Sequence, residues 1–139
     1  MAIPIDDIFL TKAAIIERAL RRMKQEYLAN PELDNYTHID AMTLNVERAC
    51  QAAIDLAMHI VAREHLGLPQ SSAEAFRLMR EAGYITEDIR NNMAAMTGFR
   101  NIAIHEYQQM DMSILRHIAE SRWQSLVDYC EALGIKIEP

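Results

Sequence analysis

The sequence contains few of the residues that interrupt secondary structure or form disulfide cross-links. Its 139 residues include only four glycines, four prolines and two cysteines. With so few glycines and prolines, we expect few turns and long secondary-structure elements. The abundant residues alanine, leucine, methionine, glutamate and arginine are good helix formers. Cys50 and Cys130 lie far apart without CxxC spacing, which favours reduced buried thiols. The sequence therefore predicts an all-α protein, with residues 1–139 forming one domain.

Other absences exclude classes of function. No apolar run approaches the roughly 20 residues that span a bilayer, and Asp6 and Asp7 near the start are atypical of a signal peptide. A cytoplasmic protein without a membrane partner is therefore expected. The net charge of −6 argues against coating nucleic acid by bulk electrostatics, so any RNA contact needs a local basic patch. HExxH, ExxH pairs, zinc spacing and glycine-rich phosphate loops are also missing, so neither metal nor cofactor is expected.

Apolar periodicity and capping residues predict a bundle of four long helices and one short helix. The short helix follows a capping box at Ser71–Glu74, and Thr86 and Asp111 are predicted to cap the fourth and last helices. Thr37 is the predicted cap of the second. The expected bounds are 5–29, 38–66, about 72–82, from 87 past residue 100, and 112–133, with a loosely ordered tail at 135–139.

The first helix is the most basic segment. Its buried face is predicted at Ile8, Ala19, Met23 and Tyr27. Two interpretations of its cations stay open: a solvated face balanced by Glu17 and Glu26, or a rim that contacts RNA phosphates. The candidates for RNA contact are Arg18, Arg21, Arg22 and Lys24.

One stretch, Gly98–Tyr107, combines several chemically active side chains near the end of a helix. Asn101 and His105 are one turn apart on one face, whereas Arg100 lies about 140° round from His105. A two-fold pairing of copies would bring the arginine and imidazole of each near those of the other. Glycine costs about 1 kcal/mol in a helix interior, so Gly98 suggests a close helix approach or a local irregularity that re-aims Arg100.

A histidine beside an arginine, without a metal, suits cleavage of RNA by its own 2′-hydroxyl. The imidazole of His105 can transfer protons near neutral pH, and the guanidinium of Arg100 can hold the charge that builds on phosphate oxygens. Asn101 would orient the phosphate or the imidazole. A lone helical histidine is more often structural, and spacing alone leaves both interpretations of His105 open.

The sequence R-N-I-A-I-H-E-Y resembles the HEPN domain, specifically the HepT-like toxins with the signature R-x4-H-x-Y. Arg100, His105 and Tyr107 fill that signature, and the segments 44–59 and 67–72 also match the family pattern. The resemblance implies an HEPN-like helical bundle that works as a homodimer. It also implies a metal-independent endoribonuclease, with Arg100 and His105 as catalytic residues in a cleft between the subunits.

The same resemblance implies a toxin–antitoxin pair. The partner would be a minimal nucleotidyltransferase antitoxin of the MntA type, which transfers AMP from ATP to Tyr107. Phosphate charge and bulk on Tyr107 would then obstruct a cleft that must admit RNA. The alternatives are a non-catalytic nucleotide-binding or adaptor subunit of a nucleotidyltransferase complex, and a bundle whose polar cluster only seals a dimer interface. Which RNA is cut, and where, does not follow from the sequence.

Overall fold

The computed structural model describes residues 3–105 and 111–139, with side chains described for all of these except 102–105. The described residues form helices joined by short connections, which confirms the all-α prediction. The elements are α1 (Asp7–Ala29), α2 (Tyr36–Arg63), α3 (Ser72–Glu81), α4 (Glu87–His105), α5 (Met112–His117), a π-helical segment (Ile118–Arg122) and α6 (Gln124–Ala132). None of these helices is long and apolar enough to cross a bilayer.

α1 and α2 form the main helix pair, and their facing sides supply much of the core. The inward face of α1 contains Ala19 and Met23, as predicted, but its first turn is shifted by one residue, because Ile8 is 43% exposed whereas Phe9 is fully buried. The remaining inward positions follow helical spacing: Ala13, Ile16, Leu20 and Met23. Asn35 rather than Thr37 caps α2, since its Oδ1 accepts a hydrogen bond from the Thr37 amide at 2.9 Å. The prediction of Thr37 as the cap was therefore wrong by two residues.

Tyr129 connects the last helix to the rest of the core. Its side chain is fully buried, and its hydroxyl donates to the Ala53 carbonyl in α2 at 3.0 Å. Its ring meets Phe76 of α3 edge-on, with centroids 5.7 Å apart. A buried phenol with a satisfied hydroxyl fixes both position and orientation, so α6 is held against α2 and α3. Cys50 and Cys130 are buried free thiols, as predicted.

The last predicted helix, 112–133, is helical but contains a π segment. Within it the Trp123 amide donates to the Ile118 carbonyl at 3.0 Å, the i→i+5 bond that defines this geometry. The tail that follows is packed, so the prediction that it is loosely ordered was wrong. Ile137 is only 5% exposed, and the Glu138 amide donates to a Glu17 carboxylate oxygen at 2.8 Å.

Candidate active site

α4 carries the first half of the motif on a regular helix. The Thr86 hydroxyl accepts from the Ile89 amide at 3.2 Å, as predicted for its cap, and Glu87 and Asp88 occupy the positive end of the helix. The helix packs against α2, α3 and α6. Arg100 and Asn101 therefore lie on a helix that is held on several sides, one turn before its last residue, His105.

Arg100 is half-buried and faces α2. Burial raises the pKa of the Cys50 thiol to about 12, and the nearby positive charge of Arg100 opposes that rise. Arg100 forms no ion pair with any carboxylate among the described residues, and its buried Nε has no hydrogen-bond acceptor there. A buried donor without an acceptor is costly, and native proteins contain few of them. The guanidinium of Arg100 thus has hydrogen-bond donors that remain available to bind an anion.

Asn101 is exposed and lies beside Arg100. Its Oδ1 accepts a hydrogen bond from Arg100 Nη1 at 3.1 Å, which orients the guanidinium. These two are the candidate residues that the structure brings together. The side chain of His105 and all of Tyr107 lie outside the described residues, so their predicted roles stay predictions.

Gly98 does not fit either structural reason that the sequence suggested for it. A Cβ added at this position would meet no described atom within 4 Å, so no close helix approach explains the glycine. Its φ is not among the positive values found at Gly67, Gly83 and Gly134, and α4 continues through it as a regular helix. The expectation of a close approach or irregularity was wrong for the described part of the chain.

A groove of about 550 Å³ opens beside this part of α4, facing the last helical segments. Met96, Phe99 and Ile118 form its apolar part, and His117 and Arg122 add polar groups. The sequence did not single out these two residues, because a spacing of five places them about 140° apart on an α-helix. The π segment changes that angle and brings both side chains to one groove.

The cations of α1 that were candidates for RNA contact differ in their surroundings. Arg22 pairs with Glu26 at 2.7 Å, Arg21 donates to the Glu138 carbonyl at 3.0 Å, and the Lys24 ammonium lies 4.2 Å from the centre of the Trp123 ring. Arg18 has no such contact with a described residue. Arg21, Arg22 and Lys24 thus have partners within the fold, whereas Arg18 has none among the described residues, and contact of all four with RNA stays a prediction.

Comparison with known families gives one extended match. The family described as "Ribonuclease HepT-like" matches residues 9–133, nearly the whole chain. The match begins in the first turn of α1, extends to the end of α6 and includes the stretch that contains Arg100, His105 and Tyr107. It therefore covers far more of the sequence than the short motif.

Individual relatives agree with this match. The chain is 33% identical over 130 residues to the "mRNA nuclease HepT" of Shewanella oneidensis, covering 93% of this chain and 98% of the relative. It is 31% identical over 108 residues to the "tRNA nuclease HepT" of Aphanizomenon flos-aquae, covering 75% and 72% of the two chains. A solved structure of a tri-AMPylated Shewanella oneidensis HEPN toxin in complex with MNT antitoxin superposes with a TM-score of 0.88 at 33% identity, covering 94% of this chain and 98% of that one.

Proposed function

The chain belongs to the HepT-like ribonuclease family, and from that premise we propose that it is the endoribonuclease toxin of a toxin–antitoxin pair. It cleaves RNA without a metal ion, at a site formed between two copies of the chain. Its relatives are named mRNA and tRNA nucleases, which supports RNA as the substrate class. Its site of action is the cytoplasm, where RNA and ATP are both available.

Arg100 and His105 carry the reaction. The His105 imidazole takes the proton of the ribose 2′-hydroxyl as that oxygen attacks the neighbouring phosphorus. The departing 5′-oxygen is protonated as its bond to phosphorus breaks, so the proton lost by the 2′-hydroxyl is balanced by the proton gained there, and the products are a 2′,3′-cyclic phosphate and a 5′-hydroxyl. Arg100 neutralises the charge that accumulates on the non-bridging oxygens, and Asn101 orients the guanidinium.

The observation that supports this proposal is that Arg100 has no carboxylate partner among the described residues. Ten other arginines and lysines of the chain are held by carboxylates, carbonyls or an aromatic ring, as Arg90 is by Glu87 on the same helix. Arg100 contacts only the neutral amide of Asn101 and keeps a buried Nε without an acceptor among the described residues. A charged donor that the protein leaves uncompensated is suited to a phosphate ligand.

The test is RNA cleavage by purified protein in EDTA, with product ends identified chemically. Wild type should cut and leave 2′,3′-cyclic phosphates, whereas Arg100→Ala and His105→Asn should each lose about 100-fold or more in rate. Arg90→Ala on the same helix and His65→Asn, an exposed histidine with φ of 54° that asparagine tolerates, are matched controls. Metal-dependent cleavage, or full activity in His105→Asn, would contradict the mechanism.

Transfer of AMP to Tyr107 is the proposed mechanism by which the antitoxin stops RNA cleavage. A related toxin occurs as a tri-AMPylated protein in complex with MNT antitoxin, and the corresponding partner here is a minimal nucleotidyltransferase of the MntA type. Incubation with that partner, ATP and Mg²⁺ should add AMP units to the chain and stop RNA cleavage. Tyr107→Phe should keep cleaving RNA and gain no AMP. AMP found on Tyr107→Phe, or cleavage unaffected by the modification, would exclude this form of regulation.

A further inference from the structure

Three basic side chains of the protein have no partner among the described residues. All 14 lysines and arginines of the sequence lie within the described residues. Only Arg18, Arg48 and Arg122 form no hydrogen bond, ion pair or ring contact with a described residue. In a chain with 20 acidic residues, arginines without a carboxylate partner are conspicuous, because pairing is readily available.

Two of these three share one pocket. Arg18 of α1 and Arg48 of α2 line a cavity of about 280 Å³ between the two helices, together with Ile15, Ala19 and Asn45. Asn45 is only 7% exposed, and its amide nitrogen donates to the Ala41 carbonyl at 2.8 Å, so its position is fixed. Two guanidinium groups on one small pocket repel each other, and an anion between them would remove that repulsion.

We propose that the Arg18–Arg48 pocket is an accessory site for an RNA phosphate, separate from the site of cleavage. This inference rests on the proposed ribonuclease function and adds a second contact to it. The pocket is wide enough for a phosphate with part of its ribose, and paired guanidinium groups can hold a phosphate through several charge-assisted hydrogen bonds.

The position of the pocket fits a strand that also reaches Arg100. Arg48 is two residues from Cys50, whose thiol is influenced by the charge of Arg100. Two residues correspond to about 3 Å along the axis of α2, so Arg48 and the part of α2 near Arg100 lie at a similar height on that helix. An RNA strand that crosses the protein surface at this height would contact both Arg100 and the pocket. Of the four residues of α1 predicted to contact RNA, Arg18 lines this pocket, and Arg48 of α2 joins it.

The experiment measures the binding of a fluorescent single-stranded RNA as a function of salt concentration. His105→Asn protein is used so that the RNA stays intact, and Arg18→Gln/Arg48→Gln is introduced into it. Each phosphate contact contributes about 0.7 to the slope of log K against log salt for single strands. Because both arginines hold one phosphate, the double variant should bind more weakly at low salt, with a slope shallower by about 0.7. In the active protein the same pair should raise KM and leave kcat unchanged.

Arg77→Gln/Arg90→Gln is the matched control, since it removes the same charge from two arginines that are paired with carboxylates. It should leave the slope unchanged, and thermal unfolding checks that all variants fold. If wild type cuts RNA but the Arg18/Arg48 variant keeps the wild-type slope, only the accessory site is overturned. If the Arg18/Arg48 variant loses self-association or antitoxin binding while its salt slope is unchanged, the pocket is a protein interface. That result would also overturn the accessory RNA site. If the protein binds no RNA, the proposed function fails as well.

Discussion

At the scale of single residues, Asp6 joins the start of α1 to the end of α2. Its Oδ1 accepts from the Phe9 amide at 3.0 Å, which caps α1. Its Oδ2 accepts from His59 Nε2 at 2.6 Å and from Arg63 Nη1 at 2.8 Å. Desolvation raises the pKa of Asp6, but the hydrogen bonds from His59, Phe9 and Arg63 outweigh it and lower the pKa from 3.8 to about 2.

The shifted pKa of Asp6 predicts a pH-dependent contribution to stability. Because the folded-state pKa is below the unfolded value, the Asp6 charge stabilises the fold above about pH 4, and this contribution is lost as pH falls towards about 2. Asp6→Asn retains a capping oxygen, so it should unfold at lower urea than wild type near neutral pH, and the difference should shrink towards zero as pH falls through about 2. Urea titrations across that range measure the difference.

Asp7→Asn is the control for Asp6, since it removes the same charge one residue further along and outside the contacts with His59 and Arg63. It should change the stability less near neutral pH. A gap between Asp6→Asn and wild type that stays constant down to pH 2 would show that the carboxylate charge is not the cause.

At the scale of helices, the stability of α3 depends on the hydrogen bonds that cap its first turn. Ser71 Oγ accepts from the Glu74 amide at 3.1 Å, and Glu74 Oε2 accepts from the Gln70 amide at 3.1 Å. We expect Ser71→Ala to lower the free energy of unfolding by about 1 kcal/mol, because an early amide of the helix loses its acceptor. Ser72→Ala, one residue later and outside this pair of bonds, should change it by less than about 0.5 kcal/mol. Equal effects of the two changes in denaturant titrations would contradict the capping role.

Most helix starts were predictable from the sequence, because their determinants are local. The caps at Ser71, Thr86 and Asp111 were predicted because the capping oxygen and its amide lie within a few residues of each other. The cap of α2 is the exception, since two candidate side chains, Asn35 and Thr37, lie two residues apart and the wrong one was predicted. Predictions also failed where contacts between distant segments decide. Burial of Ile137 depends on packing beyond its own segment, and the choice of Phe9 over Ile8 depends on the angle at which α1 meets α2.

The same limit applies to the candidate site. The R-x4-H-x-Y spacing was visible in the sequence, and so were the residue types that suit phosphate chemistry. The lack of a carboxylate partner for Arg100 and Arg48 among the described residues was not visible, because it depends on where the carboxylates lie in the folded chain. The π segment that brings His117 and Arg122 to one groove likewise leaves no periodic signature in the sequence.

At the scale of the whole molecule, the proposed reaction requires a site that is completed by a second copy of the chain. Arg100 faces α2 and is half-buried, whereas Asn101, on the face predicted to carry His105, is exposed. A spacing of five residues predicts that an arginine and a histidine on one regular helix diverge by about 140°. In the proposed arrangement, a two-fold pairing of α4 helices would supply each arginine with the histidine of the other copy. The reaction proposed above thus predicts that function follows dimer formation.

Mixing two inactive variants tests this arrangement directly. Arg100→Ala and His105→Asn chains, each inactive alone, are combined by co-refolding with different affinity tags. If the arginine and histidine of one site come from different copies, a mixed dimer holds one intact pair. About a quarter of wild-type activity should then return, since half of the dimers are mixed and one of their two sites is complete. Isolation of mixed dimers through both tags should enrich that activity about twofold. Mixed dimers that form but stay inactive would place both groups in the same chain, because every chain in the mixture then lacks one of them.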